Sequence, residues 1–151
     1  MKIYNIKDKM EYLEEIVLLT QKEWGKYSNE EEFKNKVNIK INKIKNNLDN
    51  PYYCKLILLD DDKLVGFISM FETDGEERQD LKPWYATMYV KKEYRGKGYS
   101  KILNEAILKE AKNRGFNKIY LKSDLLNYYE KFGAIYMEDL SNGEKLYYID
   151  L

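Results

Sequence analysis

The segment Met88-Tyr89-Val90-Lys91-Lys92-Glu93-Tyr94-Arg95-Gly96-Lys97-Gly98-Tyr99-Ser100 concentrates residue types that can hold an anion. Gly96 and Gly98 let the backbone turn tightly and approach a ligand closely. A helical pattern follows at once, and the first-turn N–H groups of a helix have no partner within it. Those groups, the positive end of the helix dipole and the charges of Arg95 and Lys97 together suit a diphosphate. A plain strand-to-helix turn with solvated Arg and Lys would show the same Gly-x-Gly, so the pattern alone leaves both readings open. Spacing removes two others. A P-loop needs Lys and then Ser or Thr after its second glycine, whereas Gly98 is followed by Tyr99 and Ser100. A dinucleotide fingerprint needs a third glycine where Lys101 stands, and an early parallel βαβ unit that the chain order does not provide.

The remaining inventory narrows the chemistry further. The 151 residues include no histidine and one cysteine, Cys54. Imidazole bases, His-bearing zinc sites, thiolate cages and internal disulfides are therefore excluded, no metal site is expected, and proton transfer must use Tyr, Asp, Glu or water. With 26 basic and 26 acidic side chains there is no bulk attraction to nucleic acid or to an anionic membrane, and neither is expected as a partner. The longest apolar runs, Ile16 to Leu19 and Leu56 to Leu59, fall far short of the roughly 20 residues of a membrane span. The N-terminus has no apolar signal region, so a cytoplasmic location is expected. A hydrophobic share of 44% with 15 tyrosines argues against disorder, and the length suits one domain over residues 1–151.

The elements that must position the loop follow from periodicity. Lys2 to Ile6 alternates as a short strand; Asp8 with Glu11 reads as a helix cap, and Ser28 with Glu31 as another. Between and after them, apolar residues recur every three or four positions, through Trp24 and then from Phe33 to Leu48. The period changes at Tyr53 to Leu59 and Leu64 to Phe71, which read as a hairpin across Asp60 to Lys63. An acidic loop, Glu72 to Lys82, leads to a strand at Trp84 to Val90. A helix follows Gly98 and stops at Gly115. Lys118 to Leu121 is a strand, Leu125 to Phe132 a short helix, and Ile135 to Met137 and Leu146 to Ile149 are closing strands. This is one mixed α+β domain built on a mostly antiparallel sheet of about seven strands.

Arg95, Gly96, Lys97 and Gly98, placed after a strand ending in Val90, resemble motif A of the GNAT family of N-acetyltransferases. Ser100 stands where that motif usually has Gly or Ala. Tyr129-Glu130-Lys131-Phe132-Gly133-Ala134 resembles a second motif of the family, with Ala134 in place of the usual Phe. The resemblance covers the chain from Ile3 to Ile149. It implies the GNAT fold, a twisted sheet flanked by helices whose fourth and fifth strands splay into a V, and acetyl-CoA as co-substrate. By that resemblance the main chain from Arg95 to Ser100, including Tyr99, grips the pyrophosphate, with Arg95 and Lys97 side chains only tuning affinity. Met88 and Val90 pair with the pantetheine arm beside a bulge, and an N–H near Met88 or Tyr89 faces the developing oxyanion.

Tyr129 matches the family's general acid, while neighbouring Tyr128 is read as packing. Glu72 and Asp124 are the candidate bases by position, with a relayed water as the alternative. Asp80-Leu81-Lys82-Pro83-Trp84-Tyr85 resembles a segment that flanks the acceptor channel in some relatives. Asp80, Trp84 and Tyr85 are thus substrate-binding candidates, although Trp84 equally suits a core cap. The acidic loop suggests a cationic primary amine as acceptor, from a small molecule or a peptide N-terminus. Cys54 lacks an activating neighbour, so direct transfer in a ternary complex is expected, with a catalytically silent coenzyme-binding module and a nucleotide-binding regulator as competing readings. The strand Leu146 to Ile149 is a candidate surface for a homodimer.

Overall fold

The computed structural model describes residues 1–151. Seven strands form one sheet in the order β1-β2-β3-β4-β5-β7-β6: β1 (Lys2–Asn5), β2 (Cys54–Asp60), β3 (Lys63–Phe71), β4 (Trp84–Val90), β5 (Lys118–Ser123), β6 (Ile135–Asp139) and β7 (Lys145–Asp150). Helices α1 (Leu13–Trp24) and α2 (Glu30–Asn47) cover one face, and α3 (Tyr99–Asn113) covers the other. This is the α+β architecture expected, with every pairing antiparallel except that of β4 with β5.

Two cores hold the layers. Alternation along β2 sends Leu56 and Leu58 towards Leu103, Ile107 and Ala111 of α3, and sends Ile57 and Leu59 towards Ile16, Val17 and Val37 of α1 and α2. Each fully buried aliphatic side chain of this kind contributes about 1.5–3 kcal/mol. Gly66 permits the close approach of β3 to β4, because a Cβ there would lie 2.4 Å from the Tyr89 carbonyl oxygen. No helix is long and apolar enough to cross a membrane.

Several element boundaries differ from expectation. The first helix does not start from Asp8: 3₁₀ turns at Ile6–Asp8 and Met10–Tyr12 precede α1, which has no side-chain cap. At α2 the capping box is shifted by one residue. Asn29 accepts from the Glu32 N–H at 2.8 Å, and the Glu32 carboxylate accepts from the Ser28 N–H at 3.1 Å. The helix expected over Leu125 to Phe132 is only a 3₁₀ turn at Tyr129–Phe132. The strand proposed for pairing two copies, β7, lies between β5 and β6 with both sides hydrogen-bonded, so β1 and β6 are the sheet's free edges.

Candidate active site

The loop after β4 folds as its glycines dictate. A 3₁₀ turn at Lys92–Tyr94 is followed by Gly96 at φ +77° and Gly98 at φ +83°, and α3 then begins at Tyr99. Gly98 is the helix N-cap and has no side chain to satisfy the first turn, which also carries no acidic residue. The amides there remain available to an anion. Arg95 braces the loop: its Nε donates to the Val90 carbonyl at 2.8 Å and its guanidinium lies 5.5 Å from the centroid of the Tyr89 ring. A cavity of about 370 Å³ lies here, lined by Met88, Tyr89, Val90, Tyr94, Arg95, Gly96, Gly98, Tyr99 and Ser100, with Glu23 and Trp24 from the end of α1 and Tyr128 opposite. Lys97 is exposed and outside the lining. Tyr128, expected to pack, meets Tyr129 and Phe132 edge-on and also walls this cavity, where its hydroxyl lies 3.5 Å from the Ser100 Oγ.

Next to this cavity the sheet opens. β4 and β5 share only the pair Trp84 and Tyr120, joined by the Tyr120 N–H donating to the Pro83 carbonyl at 2.9 Å. Beyond that point they diverge into the expected V. On the other side of β4 the register with β3 jumps from Phe67–Tyr89 to Ser69–Ala86, so Thr87 and Met88 together oppose one residue. This is a β-bulge, with Thr87 at φ +51°. A second cavity, of about 330 Å³, occupies the V and is lined by Trp24, Asp74, Tyr85, Ala86, Thr87, Met88, Leu121, Lys122, Tyr129 and Glu144. Trp24 and Met88 line both cavities, which makes them parts of one cleft.

Tyr129 stands in the V at the start of its 3₁₀ turn, edge-on to Tyr85 at 6.2 Å and to Tyr128 at 4.8 Å. Burial raises its pKa, with Tyr128 adding to the effect. Tyr85 is buried with its hydroxyl unpartnered, and burial raises its pKa as well. Asp74, expected only as part of an acidic loop, is a partly buried carboxyl in the same cavity. Burial raises its pKa, opposed by Lys122 at 4.0 Å.

The other candidates scatter. Glu72 lines a third cavity of about 370 Å³ between α1, α2 and the sheet, and its carboxylate is 3.2 Å from the Lys82 Nζ. Thr87 lines both this cavity and the V, so the bulge is the wall at which the two adjoin. Asp124 is exposed and lines none of these cavities. Asp80 is exposed in a two-bond pair with Arg78 at 3.0 Å. Trp84 is 1% exposed, donates through Nε1 to the Leu81 carbonyl, and packs on Leu140 and Leu146, so of its two readings the core cap matches its position. The acidic loop is largely neutralised: Glu72 by Lys82, Asp74 by Lys122, Asp80 by Arg78, while Glu77 accepts from the Ser141 N–H at 3.2 Å. Cys54 lies in the core, with its thiol pushed up to about 11 by burial.

Among the residues that reading by sequence passed over, Trp24, Asp74, Thr87 and Tyr128 line the cleft, and Lys55, buried in β2, lines the third cavity. Only Lys55 left a signal, a lone charge inside an otherwise apolar strand.

The family model described as "Acetyltransferase (GNAT) family" matches residues 11–134. N-alpha-acetyltransferase 30 of Schizosaccharomyces pombe is 30% identical over 82 residues, a match that spans 51% of this chain and about half, 54%, of that protein. The fold is similar to that of the aminoglycoside 6'-acetyltransferase type Ii, with TM-score 0.71 and 21% identity over 99% of this chain and 97% of that one. It is also similar to the PaiA N-acetyltransferase of Thermoplasma acidophilum solved with coenzyme A, with TM-score 0.65 and 21% identity over all of both chains.

Proposed function

The chain belongs to the GNAT acetyltransferase family, and from that premise we propose that residues 1–151 form one catalytic domain that transfers an acetyl group from acetyl-CoA to a primary amine, by direct attack in a ternary complex. The observation that carries this reading is the single cleft that runs from the uncapped N-terminus of α3, past the bulge at Thr87 and Met88, to Tyr129. Its parts suit the coenzyme in order. The amides between Gly96 and Lys101 would hold the diphosphate, and the main chain of Met88 and Val90 would hold the pantetheine arm. When bound, acetyl-CoA supplies an acyl thioester open to attack by a neutral amine.

The chain's own groups then handle orientation and protons. The bulge takes Thr87 and Met88 out of the ladder, and in this reading a main-chain N–H of that pair would face the developing negative charge. As the N–C bond forms and the C–S bond breaks, the Tyr129 hydroxyl donates its proton to the departing sulfur. Its raised pKa keeps it protonated until that moment, and solvent returns the proton afterwards. The amine's proton goes to Asp74, whose raised pKa makes it a better acceptor than an ordinary exposed carboxylate. Glu72, paired to Lys82 in the adjoining cavity, is the second carboxylate within reach of the bulge. Asp124, outside the cleft, is given no role. The buried Cys54 thiol supports a route without an enzyme-bound acyl group.

Thiol release from acetyl-CoA across an amine panel, with calorimetry of coenzyme A binding, tests the reading. Coenzyme A binding with thiol release on at least one amine is expected. Absence of binding removes the reading, and binding without transfer to any amine reduces the protein to a coenzyme-binding module.

A further inference from the structure

Lys55 is a charged residue in a place built for apolar ones. It sits near the start of β2 among Cys54, Leu56, Ile57 and Leu58, and is 4% exposed. Isolated burial of an ammonium is costly, and buried charges are ordinarily paired. Lys55 has no carboxylate partner. Its Nζ meets the Ser69 Oγ at 2.5 Å and lies 5.2 Å from the centroid of the Phe67 ring. It faces the third cavity, into whose lining α2 adds Lys40 and Lys43. These two are three residues apart and so share one face of the helix. None of the three lysines forms an ion pair. The one carboxylate in the lining, Glu72, is already bound to Lys82. The cavity therefore carries three ammonium groups with no free counter-charge.

Two further observations indicate a guest. The hydroxyls of Tyr53 and Thr87, both in this lining, are buried and have no protein partner. The volume of about 370 Å³ suits a small molecule. Burial draws the Lys55 pKa down to about 8, and the Lys40 charge pushes the same way, so at neutral pH Lys55 remains mostly charged.

We propose that this cavity is an anion subsite for the acceptor, which is a small amine carrying a carboxylate or phosphate: Lys55, supported by Lys40 and Lys43, binds the acid while the amine lies at the Thr87 end. The proposal rests on the acetyltransferase reading of the adjoining cleft and replaces a cationic acceptor with an acidic one.

The test uses the full chain with coenzyme A present, titrated with two matched pairs of probes, glycine with glycinamide and phosphoethanolamine with ethanolamine, and read by NMR at the Lys55, Ser69 and Thr87 amides. One acid-bearing probe is expected to bind at least about tenfold tighter than its neutral mate, and the pair showing it identifies carboxylate or phosphate. Lys55→Met should abolish the preference. Lys40→Gln and Lys43→Gln, on the helix surface, should each reduce it about threefold, which keeps the test independent of any folding defect at Lys55. Equal binding of acid and neutral probes, no binding of either acid, or equal weakening of every probe by Lys55→Met overturns the proposal. Calorimetry with coenzyme A separates the two readings. Intact coenzyme binding without acid preference sinks the anion subsite alone. Lost coenzyme binding with the preference intact sinks the acetyltransferase reading and leaves the subsite standing.

Discussion

The coenzyme site proposed between Val90 and Ser100 is made of consecutive backbone, whereas the anion subsite proposed around Lys55 is made of side chains drawn from α1, α2, β2, β3 and β4. The first needs two positive-φ glycines and an uncapped helix, and any side chain that keeps those dihedrals will serve. The second needs particular charges brought together across long stretches of sequence. A site of the first kind suits a ligand shared by many proteins, and one of the second kind suits a ligand particular to this one.

Tyr129 stands where the two ends meet, and its loss should be felt most. Tyr129→Phe is expected to lower turnover roughly 10²- to 10⁴-fold while coenzyme A affinity, measured by calorimetry, stays within about twofold. Turnover near that of the parent would remove Tyr129 from the chemistry. Trp84→Ala tests whether the segment before β4 belongs to the acceptor end at all. Thermal or denaturant unfolding should show about 3–5 kcal/mol of lost stability, and the acceptor KM of the folded fraction should not move; a raised KM with unchanged stability would return Trp84 to the acceptor channel.

Lys55→Met measures what the charged acceptor end costs. The folded pKa of about 8 lies below the ordinary 10.5, so the unfolded chain holds this proton more tightly. Below pH 8 both states are protonated and the parent bears the whole penalty, up to about 3 kcal/mol. As pH rises from 8 towards 10.5 the folded chain releases its proton first and the penalty fades. The variant should thus be the more stable chain at pH 7, with the gap closing by pH 10 in denaturant melts. A gap independent of pH would show that Lys55 is not titrating in this range.

At the coenzyme end, Gly98→Val should weaken coenzyme A about tenfold, because a β-branched residue resists φ +83° even though a Cβ there meets nothing within 4 Å. Arg95→Ala, although it removes the brace on the Val90 carbonyl, and Lys97→Ala should change the same affinity by less than about threefold, since both side chains are exposed and the proposed grip on the diphosphate is made by main chain. If these two exceed Gly98→Val, the loop works through charge and the contrast between the two ends dissolves.

The same contrast explains what was legible in advance. The Arg95–Ser100 loop and the range of β4 could be read because adjacent residues carry the information, while the V and the place of Tyr129 came only with the resemblance that two local motifs carry. The shift of the α2 cap from Ser28 to Asn29 shows the limit of local reading, since either residue has an acidic residue three positions on. Asp74 and Thr87 gave no sign of their places in the V. A carboxyl's burial depends on the strands that close over it, and the positive φ of Thr87 comes from one extra residue in a ladder. The pairing of the acidic loop was not legible for the same reason: its charges meet their partners on β5, on the β6–β7 turn and within the loop itself only after folding.

The single ladder pair between β4 and β5 divides the sheet into two rafts, β1 to β4 and β5 to β7, riveted at Trp84 and Tyr120 and strapped from one side by α3. Such a seam is where backbone amides open first, so deuterium uptake should begin along the inner edges of β4 and β5 and spread last to β2 and β3. A ligand lying in the seam would knit the rafts into one cooperative unit and slow that uptake from within.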